Sequence, residues 1–273
     1  MNYKEVLFSF KPLQPWGEIL IAYLSELPFD SFEYDEDGVK AYIKENDFNL
    51  SDIERICKRL DCVVSIEHNT IETQNWNAKW ESDFQPITIG KKCGIRADFH
   101  SPLDVEHEII ITPKMSFGTG HHATTFGMME SMLDLDFKEK QVLDMGCGTA
   151  VLAILAEKLG STHVQAIDIE DWAFQNALEN TQMNATKYTE VYKGGKEKIK
   201  GEFDIILANI NRNILLEDMG KYSIHLKQKG RIVFSGFYEK DLALIQDEAN
   251  NNHLEYISHS VKNNWITAKF KKL

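Results

Sequence analysis

The sequence lacks the features that would place it in several broad classes. It has four cysteines in 273 residues, Cys57, Cys62, Cys93 and Cys147, and no Cys-x-x-Cys pair, so neither a disulfide framework nor a zinc site is expected. His107-Glu108 opens like a zinc-protease signature, but Ile111 stands where the second histidine must share the helical face. No apolar run exceeds the seven residues 150–156, whereas a membrane span needs about 20. The start, Met1-Asn2-Tyr3-Lys4-Glu5, brings an early acid and no long apolar stretch, so a cytoplasmic protein without signal or transit peptide is expected. Basic residues are in deficit: 30 Lys and Arg against 42 Asp and Glu leave a net charge of −12, a field that repels phosphate backbones and argues against a nucleic-acid partner. The deficit is uneven, because residues 1–72 hold 7 basic and 15 acidic side chains, a net of −8. An acidic N-terminal third suits a basic partner.

What remains is an ordinary globular composition, 43% apolar and 26% charged, long enough for one large or two modest domains. Residues 6–10 alternate and are β-prone, and Ile19, Tyr23 and Leu27 have helical spacing. Residues 32–34 face 39–43 across Asp37-Gly38 as a hairpin. Ser51 and Glu54 form an expected capping box for a helix through Leu60, and 63–67 supplies a last strand. The order βαββαβ predicts a small ferredoxin-like α+β domain over 1–72. Trp76, Trp80 and Phe84 recur at i, i+4 and i+8 and predict a linker helix over 73–85. From 86 to 273 short strands, a loop rich in Gly and His, and then alternating strands and helices predict a parallel α/β sheet with its ligand at the carboxyl ends of the strands.

The sharpest segment runs Val142-Leu143-Asp144-Met145-Gly146-Cys147-Gly148-Thr149-Ala150, a strand ending in Asp-x-Gly-x-Gly that leads into a helix. As a dinucleotide fingerprint it fails, because Val151 stands where a third glycine is needed and Asp144 would meet a diphosphate with its own charge. An acid in that place suits a cofactor carrying positive charge, and S-adenosylmethionine carries a sulfonium and an ammonium. Asp144, Gly146 and Gly148 are therefore candidate cofactor residues. A second strand ends at Asp168, about the interval at which an acid meets ribose hydroxyls. A later strand ends in Ala208-Asn209-Ile210 and is expected fourth in a doubly wound sheet, with its tip at the switch point. The carboxamide of Asn209 cannot act as a base, but its carbonyl can accept a hydrogen bond from an amine and align the lone pair toward a methyl group, which makes it the catalytic candidate. Upstream, Phe117-Gly118-Thr119-Gly120-His121-His122-Ala123-Thr124-Thr125 leads into a helix; the two threonine hydroxyls and the amides at its start either bind a carboxylate or simply cap the helix, and the histidines read as loop residues without a third metal ligand.

Together, Phe117-Gly118-Thr119-Gly120-x-His122-x-Thr124-Thr125, Asp144-x-Gly146-Cys147-Gly148, Ile167-Asp168-Ile169 and Ala208-Asn209-Ile210 resemble the motif series of the PrmA family, bacterial methyltransferases of large-subunit ribosomal protein number eleven. The resemblance implies a Rossmann-like class I methyltransferase domain with a seven-stranded, mostly parallel sheet, preceded by a substrate-recognition domain. It also implies methyl transfer from S-adenosylmethionine to the N-terminal α-amine and lysine side chains of a ribosomal protein, for which a basic character is expected; a monomer without bound metal is expected as well. Thr125, Gly146, Asp168 and Asn209 match the family's cofactor-contact positions. Ala150 departs from a usual third glycine, and Ala123 from a usual proline. The rival readings are a nucleic-acid amino-methyltransferase, which usually needs an aromatic side chain after the asparagine where Arg212 stands here, and a noncatalytic binding module on the same fold.

Overall fold

The structure, a computed structural model, describes residues 2–35, 38–60, 62, 64–71, 84–114 and 116–273, and it divides into two compact units, 1–80 and 81–273. The expected linker helix over 73–85 lies outside the described residues except for Phe84 and Gln85, which are not helical, and the tip of the first hairpin lies outside them as well.

The N-terminal unit contains β1 (Tyr3–Ser9), α1 (Trp16–Leu24), β2 (Phe29–Asp35), β3 (Gly38–Lys44), α2 (Leu50–Cys57) and β4 (Ser65–Ile71). All pairings are antiparallel in the order β2-β3-β1-β4, the sheet of a ferredoxin-like fold. The period-2 pattern puts Val6, Phe8, Val39, Ala41 and Ile43 beneath Leu20 and Leu24 of α1 and Ile53 and Ile56 of α2, all buried. On the opposite face Tyr42 Oη donates to Glu5 at 3.1 Å and to Glu33 at 3.3 Å. The expected capping box is displaced: Asn49 caps α2, its side chain accepting the Ser51 N–H at 3.0 Å, and Ser51 lies inside the helix. Asparagine is at least as good an N-cap as serine, so the earlier residue takes the role. The strand expected at 63–67 forms slightly later, where its residues pair with β1.

The larger unit opens with a three-stranded sheet, β5 (Ile87–Ile89), β6 (Cys93–Ala97) and β7 (His107–Ile111). There follow α3 (Ala123–Met132), β8 (Gln141–Met145), α4 (Val151–Lys158), β9 (His163–Asp168), α5 (Asp171–Met183), β10 (Thr189–Lys193), β11 (Phe203–Asn209), α6 (Arg212–His225), β12 (Leu226–Tyr238), α7 (Leu242–Asn251), β13 (Leu254–Lys262) and β14 (Trp265–Lys272). The main sheet has seven strands in the order β10-β9-β8-β11-β12-β14-β13. The first five are parallel, and β14 inserts antiparallel between β12 and β13. The central strands are covered on both faces, which explains their almost continuous apolar runs. One core packs α4 and α3 against one face, and a second packs Leu215, Met219 and Tyr222 of α6 and Ile245 of α7 against the other.

The last structural device is an asparagine ladder. Asn176, Asn180 and Asn184 are spaced one turn apart along α5 and its C-cap, so their side chains share one face. Asn184 accepts the Ile110 N–H at 3.0 Å and donates to the Ile110 carbonyl, while Asn180 accepts the Thr112 N–H at 2.8 Å and Asn176 donates to the Thr112 carbonyl at 3.2 Å. Carboxamides replace a neighbouring strand here and satisfy the open edge of β7.

Candidate functional site

The strand order reverses between β8 and β11, where the chain leaves β8 toward β9 on one side and later returns to β11 on the other. The loop after β8 and the tip of β11 therefore meet at the switch point of the sheet, where such folds bind ligands. Gly146 has φ +69° and Gly148 φ +53°. A Cβ on Gly146 would sit 2.2 Å from Ile210 Cγ2, and one on Gly148 2.2 Å from the Phe117 carbonyl oxygen, so both positions require glycine for conformation and for space.

All five amides of this loop are already engaged. The N–H groups of Gly146 and Cys147 donate to the Ile167 carbonyl at 2.8 and 3.0 Å, Thr149 to Phe117 at 2.9 Å and Ala150 to Cys147 at 2.8 Å, while Gly148 donates to Asp168 Oδ2 at 2.8 Å. A phosphate-binding loop needs such donors free and aimed outward, so this loop is built for a ligand without phosphate.

Two carboxylates flank it. Asp168, 8% exposed, accepts Gly148 with Oδ2 and the Glu170 N–H with Oδ1 at 3.0 Å, leaving lone pairs on both oxygens for further donors. Asp144 lies behind the loop, 1% exposed; Oδ2 accepts the Ala153 N–H at 3.0 Å and Oδ1 has no partner among the described residues. Burial pushes its carboxyl up to about 7, against the lowering effect of the Ala153 hydrogen bond, and the nearby Asp168 adds to the rise. A positive charge placed nearby would offset that cost.

Thr125 and Asn209 come together across 84 residues: Asn209 Nδ2 donates to Thr125 Oγ1 at 3.3 Å. With its amide held there, Asn209 Oδ1 is buried and has no partner among the described residues. Both line a small pocket with Phe117, Gly118, Gly146, Cys147 and Thr149. The loop before α3 is capped by His122 rather than by a threonine: His122 Nδ1 accepts the Thr124 N–H at 3.3 Å. Thr124 and Thr125 are 1% exposed, so a threonine at the helix start is held inside the fold and its hydroxyl is available to Asn209.

Some of the site was not read from sequence. Thr149 clamps two loops, its hydroxyl donating to the Gly118 carbonyl at 2.7 Å while its own carbonyl accepts Asn180 Nδ2 at 2.9 Å. The i, i+4, i+8 spacing of the asparagines was the available signal for that support. Ile210 covers Gly146 on one side, and its carbonyl lies 2.0 Å from where a Cβ on Gly236 would stand. Ala150, the departure from glycine, holds φ +62°.

The residues fit S-adenosylmethionine on chemical grounds: a glycine cradle that a Cβ would fill, buried oxygens without partners, an acid on the neighbouring strand tip and no free amide nest. The sequence matches the family described as Ribosomal protein L11 methyltransferase (PrmA) over residues 23–273. It is 40% identical over 278 residues to a ribosomal protein L11 methyltransferase of Phocaeicola vulgatus, covering 99% of each chain. A relative of the same name from Porphyromonas gingivalis is 42% identical over 260 residues, covering 93% of this chain and 90% of that one. Among solved structures, a ribosomal protein L11 methylase from Lactobacillus delbrueckii subsp. bulgaricus superposes with a TM-score of 0.64 at 28% identity, covering 70% of this chain and 100% of that one. With the motifs, the sheet order and relatives that match it from end to end in agreement, the chain belongs to the ribosomal protein L11 methyltransferase (PrmA) family.

Proposed function

We propose that this protein is an S-adenosylmethionine-dependent methyltransferase that modifies the N-terminal α-amine and lysine side chains of ribosomal protein L11. The observation that carries the reading is the Asn209 carboxamide, its nitrogen held by Thr125 and its carbonyl oxygen buried without a partner at the switch point. S-adenosylmethionine supplies an electrophilic methyl group on a sulfonium that departs as a neutral thioether without acid assistance.

The chain's own residues then have mainly to position. Gly146 and Gly148 let the cofactor approach the backbone, and Asp168 accepts its ribose hydroxyls with the lone pairs left over from the loop contacts. Asn209 Oδ1 accepts an N–H of the neutral acceptor amine and turns the nitrogen lone pair toward the methyl carbon. The amine nitrogen so aligned would take the methyl group that the bound cofactor supplies, and the resulting ammonium would give its proton to solvent. Alignment of this kind is worth about 7–11 kcal/mol in well-oriented systems.

The N-terminal unit serves substrate recognition in this reading. Its net charge of −8 over residues 1–72 suits a basic ribosomal protein and speeds the encounter. The enzyme works as a cytoplasmic monomer without direct sequence-specific contact to nucleic acid. Among the described residues no helix is long and apolar enough to cross a membrane.

The test is methylation of purified ribosomal protein L11 with S-adenosylmethionine, read by intact mass. Addition of several methyl groups, abolished by Asn209→Ala, is the expected result. An unmodified L11 under conditions where the enzyme binds the cofactor overturns the reading.

A further inference from the structure

The N-terminal unit holds a cavity of about 380 Å³ where α2 ends, lined by two of the four cysteines together with Leu60, Val64 and Ile66. Cys57 is the last residue of α2, 8% exposed and clustered with Ile53 and Ile56 in the core of that unit. The Leu60 N–H donates to the Cys57 carbonyl at 3.1 Å, and beyond that turn Cys62, half-buried and five residues on, lines the same space. The turn is fastened from outside: Arg59 Nη1 donates to Glu26 at 2.9 Å, and its guanidinium lies 4.2 Å from the Tyr23 ring centre. Two thiols are therefore presented to one cavity by a turn that is held in place.

A pair of thiols in one cavity can serve a metal or a redox exchange. Among the described residues no group of three or more His, Cys, Asp or Glu side chains could hold a metal ion, which favours the exchange. The two thiols have different tasks in it. Burial pushes the Cys57 thiol up to about 11, and Cys62 and then Glu54 add to the rise, so at neutral pH Cys57 keeps its proton and does not attack first. Cys62 is the more open of the two and meets a reagent from solvent. Once the Cys62 sulfur is bonded to a second sulfur it can carry no negative charge, and one of the causes that hold Cys57 as a thiol is gone.

We propose that Cys57 and Cys62 form a thiol modification site, at which a low-molecular-weight disulfide such as oxidised glutathione closes a reversible Cys57–Cys62 bridge. The Cys62 thiolate attacks one sulfur of the reagent; the new S–S bond forms as the reagent's own breaks, and one reagent thiolate leaves and takes up a proton. Cys57 then gives its proton to solvent and attacks the Cys62 sulfur, expelling the second reagent thiolate, which is protonated in turn. Two cysteines are oxidised and one reagent disulfide is reduced to two thiols. Excess low-molecular-weight thiol runs the sequence backward. The bridge ties the end of α2 to the approach to β4, the strand that pairs with β1 at the edge of its sheet. The inference is independent of the methyl-transfer reading.

The test uses the full chain and oxidised glutathione, with the remaining thiols alkylated in denaturant before intact mass is read. Wild type should lose two of its four alkylatable thiols, and a digest that cuts after Lys58 and Arg59 should return peptides joined through Cys57 and Cys62. Dithiothreitol should restore all four. Cys57→Ser should stop at one glutathionyl group on Cys62, and Cys62→Ser should leave Cys57 unmodified. Cys93 and Cys147, buried in the larger unit, should keep their thiols throughout. A wild type that keeps four alkylatable thiols, stops at a glutathionyl adduct or pairs either cysteine elsewhere overturns the proposal. All of these outcomes are read without L11 or S-adenosylmethionine, so failure of the methyltransferase reading leaves them unchanged.

Discussion

Asp168 Oδ2 accepts the Gly148 N–H at 2.8 Å, so the acid at the tip of β9 holds the glycine loop after β8 in place. The same carboxylate is the proposed ribose ligand, and its structural and binding roles can be separated by mutation. Asp168→Ala should weaken S-adenosylmethionine binding at least about tenfold and cost about 1–3 kcal/mol of stability, because the buried Gly148 N–H and the partly buried Glu170 N–H lose a charged acceptor. Asp168→Asn keeps one acceptor oxygen and should recover part of the stability but little of the affinity. Calorimetric titration and thermal unfolding of both variants check this, and cofactor affinity unchanged in Asp168→Ala would remove the residue from the site.

Asn209 and Asn211 stand two residues apart with different tasks. Asn211 caps α6, accepting the Ile214 N–H at 3.1 Å, so Asn211→Ala should cost about 1 kcal/mol of stability with turnover nearly kept. Asn209→Ala should lower kcat by about 100-fold or more while cofactor binding changes little, since its task is alignment. Thr125→Val keeps the shape and removes the hydroxyl that holds the carboxamide, and should lower kcat by an intermediate factor. Steady-state kinetics beside chemical denaturation decide the matter, and equal kinetic effects at 209 and 211 would move the site along the loop.

The Asp144 carboxyl titrates near 7 in the folded protein and near its ordinary value of 3.8 when unfolded, so the folded state binds the proton more tightly. The stability it contributes is fully present below about pH 3.8 and is lost as pH rises toward and through about 7. Asp144→Asn carries no such titration. Its Tm relative to wild type should therefore increase across that window and level off above it. A difference independent of pH would show that Asp144 stays charged throughout.

Ala150 holds φ +62°, a region that costs an L residue about 1–2 kcal/mol. Glycine relieves that cost, so Ala150→Gly should be less destabilising than Ala153→Gly by about 1 kcal/mol, although both side chains are buried; within α4 glycine has only its helix penalty. Urea denaturation of the pair measures the difference, and equal losses would mean that residue 150 is not strained.

The two units have separate hydrophobic cores, one within 6–66 and the others within 84–270. A chain beginning at Glu81 should fold, bind S-adenosylmethionine with near-native affinity and lose most methylation of L11. In the full chain the association rate with L11 should fall with salt, as the Debye length shrinks from about 10 Å at 0.1 M to about 3 Å at 1 M. Full activity of the shortened chain would place recognition in the catalytic unit.

Much of this molecule was legible in its sequence because the relevant rules are local. Alternation in β1 and β3, glycine at the positive-φ positions 146 and 148, and strand ends at Asp168 and Asn209 all follow from steric and periodic constraints that act within a few residues. The βαββαβ order and the doubly wound sheet follow from those elements by the rules of connection. The choice of Asn49 over Ser51 as a cap was local too, but two acceptable caps lay close together and sequence could not rank them.

Tertiary structure alone decided which lone pairs stay free and which are used. Asn180 reaches Thr112 and Thr149 across 68 and 31 residues, Asp168 divides its carboxylate between two amides, and Asn209 gives its nitrogen to Thr125 and keeps its carbonyl. The insertion of β14 between β12 and β13 likewise brings Trp265 against His122 and Tyr238. A hydrogen bond or ring contact between distant residues depends on where the whole sheet places two short side chains to within a few tenths of an ångström. Residue type and spacing determine which groups this chain possesses, and only packing determines which of them remain available for chemistry.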